Sequence, residues 1–210
     1  YNSKLPDEDL PQTLAKLPVD AELLLYVGAM TYGKGVHTLL AAMPALLERR
    51  PKAHLLIVGA GKFREVIEAL LCALRAGDGA LLDTLVRCGR EFEGGSGPLE
   101  DLEHYLKVPG NRERLLAAGP HAAEHVHLTG RLDHDLLRHL FPCCRVAVFP
   151  SIVREASPLV FAEALANGVV PAAADHSGFK DGLDGLEAHL PQEIWQHMKF
   201  DAALETRVQS

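Results

Sequence analysis

The sequence predicts an α/β fold, a Rossmann-like, doubly wound parallel sheet with helices on both faces. Short apolar runs recur along the chain, and several end at a glycine or at a Pro-Ser pair. Continuous runs of this kind are typical of strands that are buried on both faces. They alternate with stretches of helical apolar spacing, and this order is typical of parallel strands joined by crossover helices.

The first half of the chain predicts two strand–helix units. An apolar run at 23–27 ends at a glycine, and a helix is predicted over Val36–Arg49 because its apolar side chains fall on one stripe. A second apolar run at 54–58 also ends at a glycine and precedes a helix predicted at 63–75. The order of these four elements predicts neighbouring parallel strands.

The alternation resumes in the second half. Strands are predicted at 126–128, 146–149 and 169–174, with helices at 133–141 and 159–167 between them. Beyond residue 184 the sequence is polar with helical spacing, which predicts a last helix at 192–208. The predicted sheet therefore has five parallel strands.

Two segments fall outside this alternation. Residues 1–20 carry three prolines and are predicted to be a linker or lead-in to a domain spanning 21–210. The segment at about 77–120 interrupts the strand–helix order and contains the flexible run Gly-Gly-Ser-Gly-Pro at 94–98. It is predicted to be a surface insertion with amphipathic helices on either side of that run.

Charge and composition exclude some classes of protein. The net charge is −7, with 21 Lys and Arg against 28 Asp and Glu, which argues against a general binder of nucleic acid or anionic membranes. No apolar run approaches the roughly 18 to 20 residues that span a bilayer, and the polar start does not resemble a signal peptide. The four cysteines lack CxxC spacing, so reduced thiols and a cytoplasmic protein are expected.

The loop after the first predicted strand is a candidate anion site. It runs from Gly28 to Gly35, contains Lys34, and precedes a helix, whose free N–H groups and dipole favour phosphate. Its spacing nearly matches a P-loop, but Gly35 stands where a P-loop carries the Ser or Thr that binds Mg²⁺. A P-loop NTPase therefore remains an alternative, and a glycine-rich turn with a solvated lysine is another.

Two other motifs carry weaker signals. Gly59-Ala60-Gly61 lacks the third glycine of a dinucleotide fingerprint and is predicted to be a tight turn. His121 and His125 have a metal-compatible helical spacing, but a strand is predicted from Val126, so a solvated loop is expected there. His176 follows the last predicted strand and could line the ligand crevice.

The loop and helix after the 146–149 strand are the most informative segment. Pro150-Ser151 ends the strand, Glu155 lies in the loop, and Glu163 lies about one turn into the next helix. Carboxylates accept strong hydrogen bonds from sugar and ribose hydroxyls, and the amides at the start of that helix favour a diphosphate. Because ligands bind at the carboxyl ends of parallel strands, both glutamates are predicted to face one crevice. An exposed helix face with a capping carboxylate is the structural alternative.

These segments, taken in order, resemble the C-terminal domain of retaining glycosyltransferases of the GT-B fold, the group that includes glycogen-synthase-like and sucrose-synthase-like enzymes. The resemblance covers about 19–75 and 124–185. The matching positions are Val27-Gly28, Lys34-Gly35, Gly130-Arg131, Pro150-Ser151 and the pair Glu155 and Glu163.

The resemblance implies a role for each matching position. Glu155 would hold the hydroxyls of the donor sugar, Glu163 would bind the nucleotide ribose, and Lys34 would stabilise the diphosphate. The implied donor-binding residues are Gly28, Gly130, Arg131, Ser157, Leu159, Val160 and Glu163. The family typically needs no metal or other cofactor, and its donor would be a UDP-, GDP- or ADP-sugar. Retention is attributed in the family to front-face attack on the donor.

The chain departs from the family pattern at two positions and carries only half of a GT-B fold. Ala29 stands where the family usually has an arginine, and Pro158, which has no N–H, stands where many members have glycine. The acceptor site would lie on an N-terminal domain absent from this sequence, so the chain alone is expected to be inactive. A non-catalytic nucleotide-binding domain is therefore a further alternative.

Overall fold

A computed structural model describes residues 6–200 and has the predicted α/β architecture. Six parallel strands form one sheet in the order β3-β2-β1-β4-β5-β6. The strands are β1 Glu22–Val27, β2 Ala53–Val58, β3 Val126–Gly130, β4 Cys144–Phe149, β5 Val170–Ala174 and β6 Lys199–Phe200. This order is that of the doubly wound nucleotide-binding fold, so the predicted fold class is confirmed.

Ten α-helices lie within residues 6–200, most of them between the strands. They are α1 Leu10–Ala15, α2 Val36–Arg49, α3 Arg64–Ala76, α4 Gly79–Cys88, α5 Glu100–Lys107, α6 Asn111–Glu124, α7 His134–Leu140, α8 Leu159–Ala166, α9 Ser177–Leu186 and α10 Gln192–Trp195. The α2 bounds are those predicted, and the other helices predicted before residue 168 begin and end within two residues of the expected positions.

The predicted last helix is wrong within the described residues. Instead of one helix from 192, the chain forms the short α10 and then β6, which pairs with β5 through Ala173 and Ala174. The buried Trp195 donates its indole N–H to the carbonyl of Leu183 at 2.7 Å, and this anchors the turn. A two-residue strand leaves no apolar run to detect, so the polar composition concealed it. Residues 201–208 of that prediction lie outside the described residues.

The sheet separates two apolar clusters because side chains alternate between the faces of each strand. Leu55 and Ile57 of β2 pack in the cluster beneath α2 and α3, whereas Leu56 and Val58 pack in the cluster beneath α7, α8 and α9. All six residues of β2 are buried. The continuous apolar run in the sequence reflects this burial on both faces.

The segment at 77–120 contributes to the first of these clusters. It forms α4, α5 and most of α6, with a short 3-10 helix at Gly89–Glu93. Leu82, Leu99 and Leu115 are almost fully buried there and pack in the same cluster as Val66 of α3. The segment therefore has an apolar underside that is continuous with the core of the domain.

Pro6 and Asp7 cover the end of the edge strand β3. Pro6 forms an antiparallel bridge with Gly130, and the Asp7 amide donates to the Thr129 carbonyl at 2.9 Å. The two terminal nitrogens of the Arg64 guanidinium, Nη1 and Nη2, donate to the Asp7 carboxylate at 2.7 and 2.6 Å. Covering an edge strand in this way satisfies its free backbone groups.

Strands β1 and β4 define the position where a ligand binds in this topology. The chain runs outward from β1 through β2 to β3, then crosses back to β4 on the other side of β1. The loops after β1 and β4 therefore leave the sheet in opposite directions and open a crevice between them. The candidate residues at the ends of these two strands are thereby brought together.

Candidate functional site

The loop after β1 is pressed against the end of β4. It forms a 3-10 turn at Tyr32–Lys34 and reaches α2 through Gly35, whose φ is +69°. A Cβ added at Gly35 would lie 2.0 Å from the carbonyl oxygen of Pro150. A serine or threonine does not fit here without moving the backbone, so the local geometry argues against the P-loop alternative.

The loop contact places Lys34 beside Glu155. The Lys34 ammonium lies 2.6 Å from Glu155 Oε2, and the two side chains retain 30% and 16% of their exposure. The Ser151 hydroxyl donates to the other carboxylate oxygen of Glu155 at 2.7 Å. The pair lies at the crevice and is accessible from solvent, so a ligand can contact both charges.

Glu163 lines a larger cleft next to this ion pair. The cleft has a volume of about 620 Å³ and is bordered by the ends of β1 and β2, by the loop after β3, and by α8. Among its lining residues are the predicted donor-binding residues Gly28, Arg131, Leu159, Val160 and Glu163. These five positions line one cleft, and their binding roles remain predictions.

A small cavity of about 20 Å³ adjoins the cleft and contains the ion pair. Lys34 and Glu155 line it, and Val27 and Val160 line both the cavity and the cleft. Burial raises the pKa of the Tyr26 phenol, which also lines the small cavity, and the negative charge of Glu155 adds to this effect. Tyr26 is therefore a neutral donor, and its hydroxyl supports the Ala29 carbonyl at 2.9 Å.

Two predicted donor-binding residues lie apart from the lining of this cleft. Gly130 has a φ of +73°, and a Cβ there would lie 2.6 Å from the Asp7 amide nitrogen, so this glycine accommodates the lead-in. Ser157 is exposed in the loop before α8. The two departures from the family pattern lie at the crevice, since Ala29 lines the cleft and Pro158 precedes α8.

The histidine-rich segment was predicted to be a solvated loop, and this prediction is wrong. His121 lies in α6, and the His125 ring stacks on that of His54 with a centroid distance of 4.3 Å. His54 Nδ1 also lies 3.0 Å from His127 Nε2. Burial, together with the nearby charges of His54, His125 and Arg75, lowers the pKa of His127 to about 4. The cluster lies at the amino ends of β2 and β3, whereas the crevice lies at the carboxyl ends of the strands.

No group of three or more His, Cys, Asp or Glu side chains within residues 6–200 is arranged to hold a metal ion. Over the same residues, no helix is both long and apolar enough to cross a membrane.

Sequence reasoning missed a contact from the 77–120 segment to the candidate phosphate loop. The Glu93 carboxylate accepts a hydrogen bond from the Tyr32 backbone N–H at 3.0 Å, and the Arg90 guanidinium lies 4.5 Å from the centre of the Tyr32 ring. Tyr32 begins the 3-10 turn that carries Lys34. A charged Arg-Glu-Phe-Glu run beside a glycine patch was the available signal, but its position against this loop depends on the fold.

Comparison with known proteins identifies the family of this chain. The family described as glycosyl transferases group 1 matches residues 12–81 and 108–188, which is more than two thirds of the sequence. The chain belongs to the group 1 glycosyltransferases. The gap in this match falls inside the 77–120 segment, and both glutamates of the crevice lie in matched positions.

Similar proteins agree with this membership. An uncharacterized glycosyltransferase of Methanocaldococcus jannaschii is 45% identical over 51 residues, which are 24% of this chain and 13% of that protein. Sucrose-phosphate synthase of Thermosynechococcus elongatus has the same fold, with a TM-score of 0.53 and 23% identity over 97% of this chain. The catalytic domain of the Helicobacter pylori cholesterol-alpha-glucosyltransferase has a TM-score of 0.51 and 15% identity, and the match covers 90% of this chain and 82% of that domain.

The present chain is shorter than most of these glycosyltransferases. It spans 38% of the sucrose-phosphate synthase chain and 13% of the archaeal relative. An E. coli trehalose-6-phosphate structure bound with UDP-2-fluoro glucose also has the same fold, with a TM-score of 0.53, 16% identity, and coverage of 96% of this chain and 37% of that one. Group 1 membership, together with the geometry at Gly35, disfavours the P-loop alternative.

Proposed function

We propose that this chain binds a nucleotide-diphosphate sugar and, with an N-terminal acceptor-binding domain, transfers the glycosyl group with retention. The observation that supports the proposal is that Glu163 lines the larger cleft, that Lys34 and Glu155 line the small cavity, and that Val27 and Val160 line both. The cleft beside Glu163 is of the size that takes a small-molecule ligand, and the smaller cavity with the ion pair adjoins it.

In this proposal the larger cleft holds the nucleotide. Glu163 accepts hydrogen bonds from the ribose hydroxyls, and its carboxylate lies 3.6 Å from Nδ1 of His134, which also lines the cleft. The backbone around Gly28 and Arg131, which both line the cleft, frames the base. The walls formed by Val27, Val58 and Leu132 provide an apolar surface for it.

The diphosphate lies between the cleft and the ion pair. The amides of Leu159 and Val160 lie in the first turn of α8, where the partial positive charge of the helix favours an anion. The Lys34 ammonium has three N–H donors. One reaches Glu155, and the other donors can reach phosphate oxygens.

Glu155 binds the donor sugar. Its carboxylate is fixed by Lys34 and Ser151 before a ligand arrives, so donor binding need not order this side chain. As the bond between the sugar and the diphosphate breaks, negative charge grows on the leaving group, and Lys34 and the α8 amides stabilise it. These groups provide the role that a metal ion has in other transferases, and front-face attack accounts for retention.

The two departures from the family pattern, Ala29 and Pro158, favour an alternative to this proposal. Ala29 is exposed and brings no charge to the diphosphate, and Pro158 offers no N–H before α8. Arg131 lines the same cleft and is the cation that we expect to compensate. Without compensation, the chain would be a non-catalytic nucleotide-binding domain.

The acceptor domain and the location are part of the same proposal. The crevice between β1 and β4 opens at the carboxyl ends of the strands. The acceptor would be held by a second domain that faces these ends. Cys72, Cys88, Cys143 and Cys144 are all unpaired, which supports a reducing, cytoplasmic location.

Calorimetric titration of this chain with UDP, GDP, ADP and ATP, each in Mg²⁺ and in EDTA, tests the proposal. We expect one nucleoside diphosphate to bind equally well in both conditions, which would also name the base. ATP binding that disappears in EDTA would restore the P-loop alternative. No binding to any nucleotide would contradict the proposal for this chain and would indicate a domain that has lost its ligand, as Ala29 and Pro158 would imply. A Glu163→Ala variant controls for binding elsewhere on the chain.

A further inference from the structure

Ser177 has an unusual backbone conformation next to the proposed sugar site. Its φ is +52°, and it is the one residue other than glycine with a positive φ among residues 6–200. A side chain in this region crowds the backbone, so glycine is the residue normally found there. Ser177 follows β5 and begins α9. An unfavourable conformation at this position calls for a compensating contact.

The compensating contacts come from Glu155 and His176. The backbone N–H of Glu155 donates to the Ser177 hydroxyl oxygen at 3.0 Å. The same hydroxyl lies 3.0 Å from His176 Nδ1. Because the hydroxyl already accepts from Glu155, it is free to donate its own hydrogen to the imidazole.

His176 continues the contacts back to Glu155. Its Nε2 lies 2.8 Å from the Ser151 carbonyl oxygen, which can only accept, so Nε2 carries the proton. The Ser151 hydroxyl in turn donates to Glu155 Oε1 at 2.7 Å. The four residues Glu155, Ser177, His176 and Ser151 thus form a closed ring in which the backbone and the carboxylate of Glu155 are both held.

Gly178 completes the contact between the two loops. Its backbone N–H donates to the Glu155 carbonyl at 2.7 Å. A Cβ added at Gly178 would lie 2.6 Å from that same oxygen. The loop carrying Glu155 therefore lies directly on the backbone of residues 176–178.

We infer that His176 and Ser177 are positioning residues for Glu155, and that they set the affinity for the sugar part of the donor without contacting it. The inference rests on the proposed function, in which Glu155 binds the donor sugar. Ser177 keeps its unfavourable backbone because its hydroxyl orients the Glu155 loop, and a glycine would not provide that hydroxyl.

Ser177→Ala and Ser177→Gly separate this role from folding. Both variants lose the hydroxyl, but only glycine relieves the unfavourable φ, so we expect the glycine variant to unfold at the higher temperature. The measured quantity is the Kd of the nucleoside diphosphate divided by the Kd of the corresponding nucleotide sugar. We expect this ratio to fall by about three- to tenfold in both variants, the range for one lost hydrogen bond.

A matched pair at position 176 tests the imidazole. His176→Gln retains a donor that can reach the Ser151 carbonyl, whereas His176→Ala does not, so we expect the ratio to be partly restored by glutamine. Ser96→Ala removes an exposed hydroxyl in the glycine-rich run and should leave the ratio unchanged. A ratio that follows the unfolding temperature across the variants would contradict the inference.

Nitrogen NMR of the imidazoles tests the hydrogen-bonded ring of Glu155, Ser177, His176 and Ser151 without a ligand. We expect His176 to carry its proton on Nε2, and the Nδ1 resonance to shift in Ser177→Ala. A proton on Nδ1 of His176 would contradict the proposed hydrogen-bonded ring. If the wild-type chain gains no affinity from the sugar, the proposed role of Glu155 fails; if it gains affinity that the position 176 and 177 variants keep, the present inference fails.

Discussion

Lys34 and Glu155 lie 121 positions apart in the sequence, yet their side chains form an ion pair with a 2.6 Å separation. Lys34 follows β1 and Glu155 follows β4. The chain places β2 and β3 on one side of β1 and then returns to place β4 on the other side. One charge suited to phosphate and one suited to sugar hydroxyls are therefore held side by side where this fold binds ligands.

Replacing Lys34 tests the phosphate side of this pair. We expect Lys34→Met to weaken nucleoside diphosphate binding by about 1.5–3 kcal/mol, the range for hydrogen bonds to a charged group, and to leave binding of the parent nucleoside unchanged. Lys52→Met is the control, because Lys52 is an exposed lysine paired with Asp20 at the start of β2. Equal losses for the nucleoside and the diphosphate, measured by calorimetry, would place Lys34 outside the phosphate site.

Replacing Glu163 tests the ribose side of the larger cleft. Glu163→Ala should weaken binding of the nucleoside diphosphate and of the nucleotide sugar alike, each by about 1–3 kcal/mol. Glu163 contacts the part common to both ligands, so the ratio of the two Kd values should not change. A 2′-deoxy nucleotide should show a smaller loss in this variant than the ribonucleotide does.

Glu155→Ala should have the opposite pattern. Free nucleoside diphosphate should bind the variant as it binds the wild-type chain, while the extra affinity contributed by the sugar should disappear. The reason is that the Glu155 carboxylate faces the small cavity with Lys34, whereas Glu163 faces the larger cleft. Equal effects of Glu155→Ala on both ligands would refute this division of roles.

The sequence predicted the parts of the site but not the contacts between them. Apolar runs identified five strands, and the glycines and glutamates at their ends identified the crevice, because both signals are local. The ion pair between Lys34 and Glu155 depends on β4 returning beside β1. The ring through His176 and the stacking of His54 on His125 join residues far apart in sequence, and no local pattern encodes them.

Glu93 offers a test of the 77–120 segment. Glu93→Ala removes the acceptor for the Tyr32 N–H and should loosen the turn that carries Lys34. We expect nucleoside diphosphate affinity to fall by about 0.5–1.5 kcal/mol, the net contribution of one hydrogen bond. Glu91→Ala is the matched control on the same short helix, because its side chain is exposed. Equal affinities for the two variants would mean that the segment does not support the phosphate loop.

The histidine cluster at the amino ends of β2 and β3 should make folding stability depend on pH. His54 is buried, with 8% of its surface exposed, and its ring lies between those of His125 and His127. Burial lowers the pKa of both His54 and His127, and nearby charge adds to the effect, from His125 on His54 and from His54, His125 and Arg75 on His127. The ordinary value of 6.5 for His127 falls to about 4 in the folded chain.

The sign of the effect follows from these two values. Between pH 6.5 and about 4, the unfolded chain binds a proton at His127 that the folded chain does not. Stability is therefore retained above pH 6.5 and lost as the pH falls through this window, with a slope of at most about 1.4 kcal/mol per pH unit for one histidine. The measurement is the free energy of unfolding in urea at pH 7.5 and 5.5 for the wild-type chain and for His127→Gln. The variant should lose less stability on acidification, because glutamine does not titrate, whereas an equal loss in both proteins would exclude His127 as the source.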